Sequence, residues 1–199
     1  MNKSYDIVLI PEPKIASEAM KLSEILTEKG VRFTLDGKKY FPHVSLYMLP
    51  LNDIGLEKAL ELLPIIAKEL KPIEVITSSY HYESEYIDVE YEKTPMLENA
   101  QMKVVNSLNS IREGLREKDK ARLATAEGEE LSNLLTYGYR SIGKAFSPHL
   151  TFTRFVEPQK DIIQNLPDKK LFDGTYLKLG IFELGDNGTC IREIKSWDL

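Results

Sequence analysis

Two stretches of the chain say nearly the same thing: Phe41-Pro42-His43-Val44-Ser45-Leu46 and, about half a chain later, Phe146-Ser147-Pro148-His149-Leu150-Thr151-Phe152. Each reduces to proline, histidine, an aliphatic, a hydroxyl residue and a large apolar residue. Side chains alternate across a β-strand, so His43 and Ser45 share one face while Val44 and Leu46 share the other. Proline is tolerated at the first residue of a strand and keeps the residue before it extended. Each stretch therefore reads as the start of a strand that buries its aliphatics and displays imidazole and hydroxyl, roughly 7 Å apart. Imidazole titrates near physiological pH, and a hydroxyl donates to anionic oxygen. Two such pairs facing one cleft supply an acid, a base and two phosphate donors.

The chain holds three histidines, and two of them carry this pattern. His81, in Tyr80-His81-Tyr82-Glu83, has neither the preceding proline nor a hydroxyl two residues on, and reads as a surface or half-buried histidine.

With its two H-x-(S/T)-h motifs, one per half, the chain resembles the 2H phosphoesterase superfamily, which includes the bacterial 2′-5′ RNA ligase-like proteins and the cyclic nucleotide phosphodiesterases. The resemblance rests on motif spacing across nearly the whole chain and on few matched residues. It makes His43 and His149 the catalytic pair and Ser45 and Thr151 the phosphate-binding hydroxyls. Ser45 stands where threonine is commoner in the family, and it keeps the hydroxyl. The RNA ligase-like branch also carries an arginine just after its second motif, matched here by His149-Leu-Thr-Phe-Thr-Arg154. Strict alternation puts Arg154 on the face opposite His149, so it reaches the cleft only through a bulge or at the strand's end. The implied fold is α+β, a bilobal 2H-phosphoesterase-like domain over 1–199. Two mainly antiparallel sheets would face a central cleft with helices on the outside, His43-Val44-Ser45 in one lobe and His149-Leu150-Thr151 in the other.

A chain of 199 residues suits one domain. Its net charge of −5 argues against a protein that coats long nucleic acid, while leaving room for a nucleotide or RNA end in a locally positive cleft. The single cysteine, Cys190, permits no internal disulfide and supplies no Cys-rich metal site. The first apolar run, Ile7-Val8-Leu9-Ile10, is too short for the core of a signal peptide. No stretch approaches a membrane span. The expected setting is a monomer in the cytoplasm, without membrane and without cofactor.

Taken in order, Tyr5 to Ile10 reads as a buried strand and Ile15 to Glu28 as a helix, stopped by Gly30. Val31 to Leu35 predicts a short strand, and Asp36-Gly37 turns the chain toward the first motif. Asn52 or Asp53 caps a helix that ends near Pro72, and Thr94-Pro95 starts another that runs to Leu115. Between them, Ile73 to Ser78 and Tyr80 to Tyr91 read as a strand pair. The mixed charge run from Arg116 to Arg122 reads as solvated surface, with a lid or RNA-facing arm as the minority alternative. Glu127 to Leu135 reads as a helix. The Tyr137–Lys144 loop, with two glycines and interleaved tyrosines, runs into the second motif, where Arg140 and Lys144 would meet phosphate and a tyrosine would stack a base. Asp161 to Leu166 predicts a short helix, and Tyr176 to Ser196 a hairpin turned at Gly185-Asp186-Asn187-Gly188. Tyr47 follows Ser45 by two, so alternation places it in the cleft as a candidate to stack a base or ribose.

The leading expectation is a metal-independent phosphoesterase. One histidine takes a proton from water and the other protonates the leaving ribose oxygen of a cyclic or 2′-5′ phosphodiester on a nucleotide or short RNA end. Two alternatives stand beside it. One is a binding module that holds such an end without turning it over; the other is a metallohydrolase liganded by His43, His81 and His149. The absence of H-x-H, H-x-x-x-H or an acidic partner motif weighs against the metallohydrolase.

Overall fold

The computed structural model of the protein describes residues 2–199. It opens with β1 (Lys3–Pro11), and the chain turns into α1 (Pro13–Leu26) with proline in the first helical turn, where no N–H is needed. Helix α1 buries Ile15, Ala19, Leu22 and Leu26 at helical spacing. The strand expected over 31–35 does not form; its one ladder contact is an isolated bridge between Val31 and Phe155. Phe33 and Leu35 are nevertheless buried. Hydroxyls replace the ladder: Ser23 Oγ accepts from the Leu35 N–H, and Thr153 Oγ1 donates to the Phe33 carbonyl. A buried backbone needs partners, and these side chains supply them.

Strand β2 (Val44–Leu51) leads to α2 (Asp53–Glu69), capped by Asn52, whose side chain accepts from the Gly55 N–H at 2.7 Å. A short β3 (Ile73–Val75) follows. The long strand expected over Tyr80–Tyr91 is instead part of a hairpin, β4 (Thr77–Glu83) and β5 (Tyr86–Tyr91). Its two-residue turn is Ser84-Glu85, with φ of 50° and 65°. Tight hairpin turns of this kind favour Asn and Gly, so Ser-Glu carries no such signal in the sequence. Next come α3 (Pro95–Leu108), capped by Thr94, then α4 (Glu117–Arg122) and α5 (Gly128–Tyr137). Gly138 ends α5 at φ 68°, and a Cβ there would meet the Arg112 guanidinium at 2.7 Å. Strand β6 (His149–Arg154) carries the second motif. A single 3-10 turn at Ile162–Asn165 stands where a short helix was expected, and the hairpin of β7 (Gly174–Leu184) and β8 (Cys190–Asp198) closes the chain.

The eight strands among the described residues make two antiparallel sheets. One runs β2-β1-β7-β3, with β8 also paired to β7; the other runs β4-β5-β6. The two motif strands, β2 and β6, are each an edge of their own sheet and approach one another. Buried side chains from both sheets and from α1, α2 and α3 form one continuous apolar cluster beneath them. This is the expected α+β architecture of two antiparallel sheets with helices around them.

Candidate active site

Both motif strands carry a bulge at the same place. In the β1–β2 pairing Val8 faces Ser45 but Ile7 faces Tyr47, so Leu46 is the extra residue. In the β5–β6 pairing Asp88 faces Thr151 but Ile87 faces Thr153, so Phe152 is the extra one. An extra residue shifts the alternation by one from that point on. The cleft side therefore takes His43, Ser45 and Met48 from the first strand, and His149, Thr151 and Arg154 from the second. Leu46, Tyr47, Phe152 and Thr153 all turn into the core at 0% exposure.

The bulge gives Arg154 its route into the cleft and removes Tyr47 from it. Tyr47 does not face substrate, contrary to the alternation-based expectation. Its ring is fully buried, its hydroxyl donates to the Tyr137 carbonyl at 2.6 Å, and Asn109 Oδ1 lies 3.0 Å away. Burial pushes its phenol up to about 12. Arg154 donates to Glu85 at 3.0 Å and to Asn187 Oδ1 at 3.2 Å, and lies over the Tyr86 ring.

The four motif side chains line a single cleft of about 1160 Å³. Each imidazole is held the same way. His43 Nδ1 lies 2.7 Å from the Phe41 carbonyl, and His149 Nδ1 lies 2.8 Å from the Ser147 carbonyl, in both cases two residues upstream. A carbonyl only accepts, so each Nδ1 carries the proton and each Nε2 is left as the free ring nitrogen. The proline before each histidine holds that upstream segment extended, which is the local reason the same contact recurs. His43 is the more enclosed ring, 13% exposed at its side chain. Burial lowers it to about 4, with the Phe41 carbonyl opposing and the nearby His149 adding to the shift.

The two hydroxyls are not equivalent. Ser45 Oγ donates to Asp6 Oδ2 at 2.6 Å, whereas no hydrogen bond engages the Thr151 hydroxyl among the described residues. Asp6, on β1, is a site residue the sequence reading missed. It sits at 0% exposure beneath Ser45, with His43 Nε2 3.7 Å from the same Oδ2 and its other oxygen, Oδ1, unpartnered. Burial pushes its carboxyl up to about 7, against the Ser45 hydrogen bond and the Arg116 charge. The available signal was an acid inside the buried run Tyr5-Asp6-Ile7-Val8-Leu9-Ile10. An aspartate raised in the fold from 3.8 to about 7 costs stability as pH rises through that window; the penalty is absent below about 4 and complete above about 7. At about 1.36 kcal/mol per unit, this penalty is at most about 4 kcal/mol. Asp6→Asn should therefore raise Tm by several degrees at pH 8 and leave it nearly unchanged at pH 4. Equal shifts at both pH values in calorimetry would show that no buried ionisation is being relieved.

The charge run and the glycine loop supply the rest of one wall. Arg116, Lys118 and Arg122, read from the sequence as solvated surface, line the cleft instead, with Arg140 from the loop. Arg116 and Arg122 clamp the fully buried Asp119, which fixes α4 there. Four guanidiniums, those of Arg116, Arg122, Arg140 and Arg154, act on Lys118; its pKa is lowered first by burial and then by these like charges. From the same loop Tyr139 reaches the cleft, its ring under Arg116 at 5.3 Å; Lys144 and Tyr137 do not line it. On the opposite wall His81 also lines the cleft, 3.5 Å from Asp88, a carboxylate that His149 influences as well. Sequence alternation alone gives no reason to place His81 there.

Two antiparallel sheets, each with a motif strand at its edge and helices around them, make a fold that solved structures share. That of E. coli LigT complexed with phosphate matches at a TM-score of 0.57 and 10% identity, over 100% of this chain and 98% of that one. A structure described as a phosphoesterase matches at 0.60 and 12%, over 100% and 99%. TT0787 of Thermus thermophilus matches at 0.57 and 14%, over 98% and 97%. No family model and no curated protein matches the chain in sequence. The chain has the LigT-like fold, and its chemistry has to be argued from its own residues. Among the described residues, no helix is long and apolar enough to cross a membrane.

Proposed function

We propose that the chain is a 2H-type phosphoesterase that hydrolyses, or reversibly forms, a cyclic or 2′-5′ phosphodiester on a nucleotide or RNA end. The observation that carries this reading is the duplicated histidine lock. Two Nδ1–H groups are tied to backbone carbonyls, leaving two Nε2 atoms on rings that line one cleft. One Nε2 accepts the proton of the attacking water while the other gives its proton to the leaving ribose oxygen. Transfers of this kind contribute roughly 10²–10⁴-fold each. As charge builds on the phosphoryl oxygens, the Thr151 hydroxyl donates to one of them. Ser45 has to share its hydrogen with Asp6, so Thr151 carries more of this role. The guanidiniums of Arg116, Arg122, Arg140 and Arg154 supply the positive wall that phosphate needs in a chain of net charge −5. Tyr86, half-buried on the cleft wall, takes the place of Tyr47 as the aromatic for base or ribose. Crystals of E. coli LigT hold phosphate, 3′-AMP, NADP+ or ATP, which supports a phosphate-bearing nucleotide as the class of ligand.

The test is a panel of 2′,3′-cyclic nucleotides and short RNAs, assayed with and without EDTA, with product regiochemistry read by phosphorus NMR. Turnover that survives EDTA and gives one regioisomer is expected. Binding without turnover would leave a binding module, and EDTA-sensitive turnover restored by metal would leave a metallohydrolase.

A further inference from the structure

Overlapping the catalytic pair at His43 lies a second arrangement, whose other two members the phosphoesterase chemistry does not use. Asp6, His43 and Cys190 come from β1, the residue before β2 and the start of β8, and one ligand atom of each lies within 4.8 Å of the other two. Asp6 and Cys190 are fully buried, and Asp6 Oδ1 makes no hydrogen bond. An orphaned carboxylate oxygen is costly in a dry interior, and a cation is one of the few things that offsets it. The third member is already oriented as metal-bound histidines usually are: His43 Nδ1–H is donated to the Phe41 carbonyl, and the lone pair sits on Nε2, which faces Asp6 Oδ2 at 3.7 Å.

We propose that Asp6, His43 and Cys190 bind a zinc-class divalent cation, which enters from the cleft and switches the site off. The donor set decides the metal. One thiolate, one imidazole and one carboxylate suit a borderline-soft tetrahedral ion and suit magnesium or calcium poorly. With metal–ligand bonds of about 2.0–2.3 Å, tetrahedral ligand atoms sit roughly 3–4 Å apart, so the three, now within 4.8 Å of one another, need to close by up to about 1–2 Å. The fourth position falls on the His43 side, which lines the cleft, and water fills it. Ligation expels the thiol proton of Cys190 to solvent and forms the S–metal bond. It also takes the Nε2 lone pair of His43, the pair the proposed phosphoesterase reaction needs. The inhibitory consequence rests on that reaction; the binding site itself does not.

Cobalt(II) added to the EDTA-stripped full chain is the direct probe, because a thiolate ligand gives a near-ultraviolet charge-transfer band. The band should appear with one equivalent, be displaced by zinc, vanish in Cys190→Ala and persist in His81→Ala. In Cys190→Ala zinc affinity should fall by more than the roughly 10–100-fold that loss of an outer-shell partner costs. Zinc should inhibit hydrolysis of a 2′,3′-cyclic nucleotide in the parent chain. Cys190→Ala should keep the metal-free turnover and lose that inhibition. Absence of the band in the parent chain overturns the site whatever the variants do, and equal inhibition in Cys190→Ala overturns the switch. A band without any metal-free turnover would uphold the site and sink the phosphoesterase reading, so the two failures are distinguishable.

Discussion

Alanine in place of either His43 or His149 should lower turnover of a 2′,3′-cyclic nucleotide by at least about a hundredfold, because each change removes one proton transfer. The double variant should be little worse than the worse single, since residues that act as a unit are strongly non-additive. The loss should fall on kcat more than on KM. Neither ring contributes much to holding the ground state beside the Thr151 hydroxyl and the guanidinium wall. His81→Ala is the internal comparison. It removes a histidine that lines the same cleft but carries no carbonyl lock of the His43 and His149 kind among the described residues. It should keep turnover within a fewfold of the parent. A folded His43→Ala or His149→Ala protein with parental kcat would dismiss the two-histidine mechanism, as would His81→Ala falling as far as the other two.

The motif strands were legible because proline, histidine and hydroxyl carry their meaning locally, through backbone restriction and alternation. Helices were legible through caps: Asn52 and Thr94 do cap their helices by accepting from the Gly55 and Leu97 N–H groups. What stayed hidden depended on contacts distant in sequence. The bulges at Leu46 and Phe152 exist because β1 and β5 pair with the motif strands in shifted registers, and no residue at 46 or 152 announces that. The charge run at 116–122 looked solvated because its buried partner, Asp119, lies inside the run and reads as one more surface acid. The failed strand at 31–35 has strand-like residues, but its backbone is satisfied by Ser23 and Thr153. Asp6 and Cys190 come together although β7 lies between their strands in the sheet, a meeting of distant residues that composition cannot show.

Tyr47→Ala should unfold or severely loosen the protein, while Tyr47→Phe should fold and keep the affinity for a nucleoside cyclic phosphate. Tyr47 is among the largest fully buried side chains, and truncating a buried aromatic costs about 3–5 kcal/mol through lost transfer energy and the cavity left behind. The phenylalanine variant keeps the ring against Tyr139, 6.4 Å between centroids, and loses only the hydroxyl. That leaves the Tyr137 carbonyl without its buried donor, a change worth about 1–3 kcal/mol. The same hydroxyl ties the end of α5 to β2, so its removal loosens the loop that brings Tyr139 and Arg140 to the cleft. Tyr47→Phe should accordingly lower Tm by several degrees and lower kcat modestly, with equal effects on a nucleotide substrate and on a minimal diester that has no base. A residue that stacked the base in the cleft would behave differently. Its alanine variant would fold normally and would raise KM for the nucleotide alone, by the roughly 1–3 kcal/mol that base stacking contributes. Melting curves of the two variants, read beside KM for the two substrates, decide between a tyrosine turned inward by the bulge and one left on the cleft face.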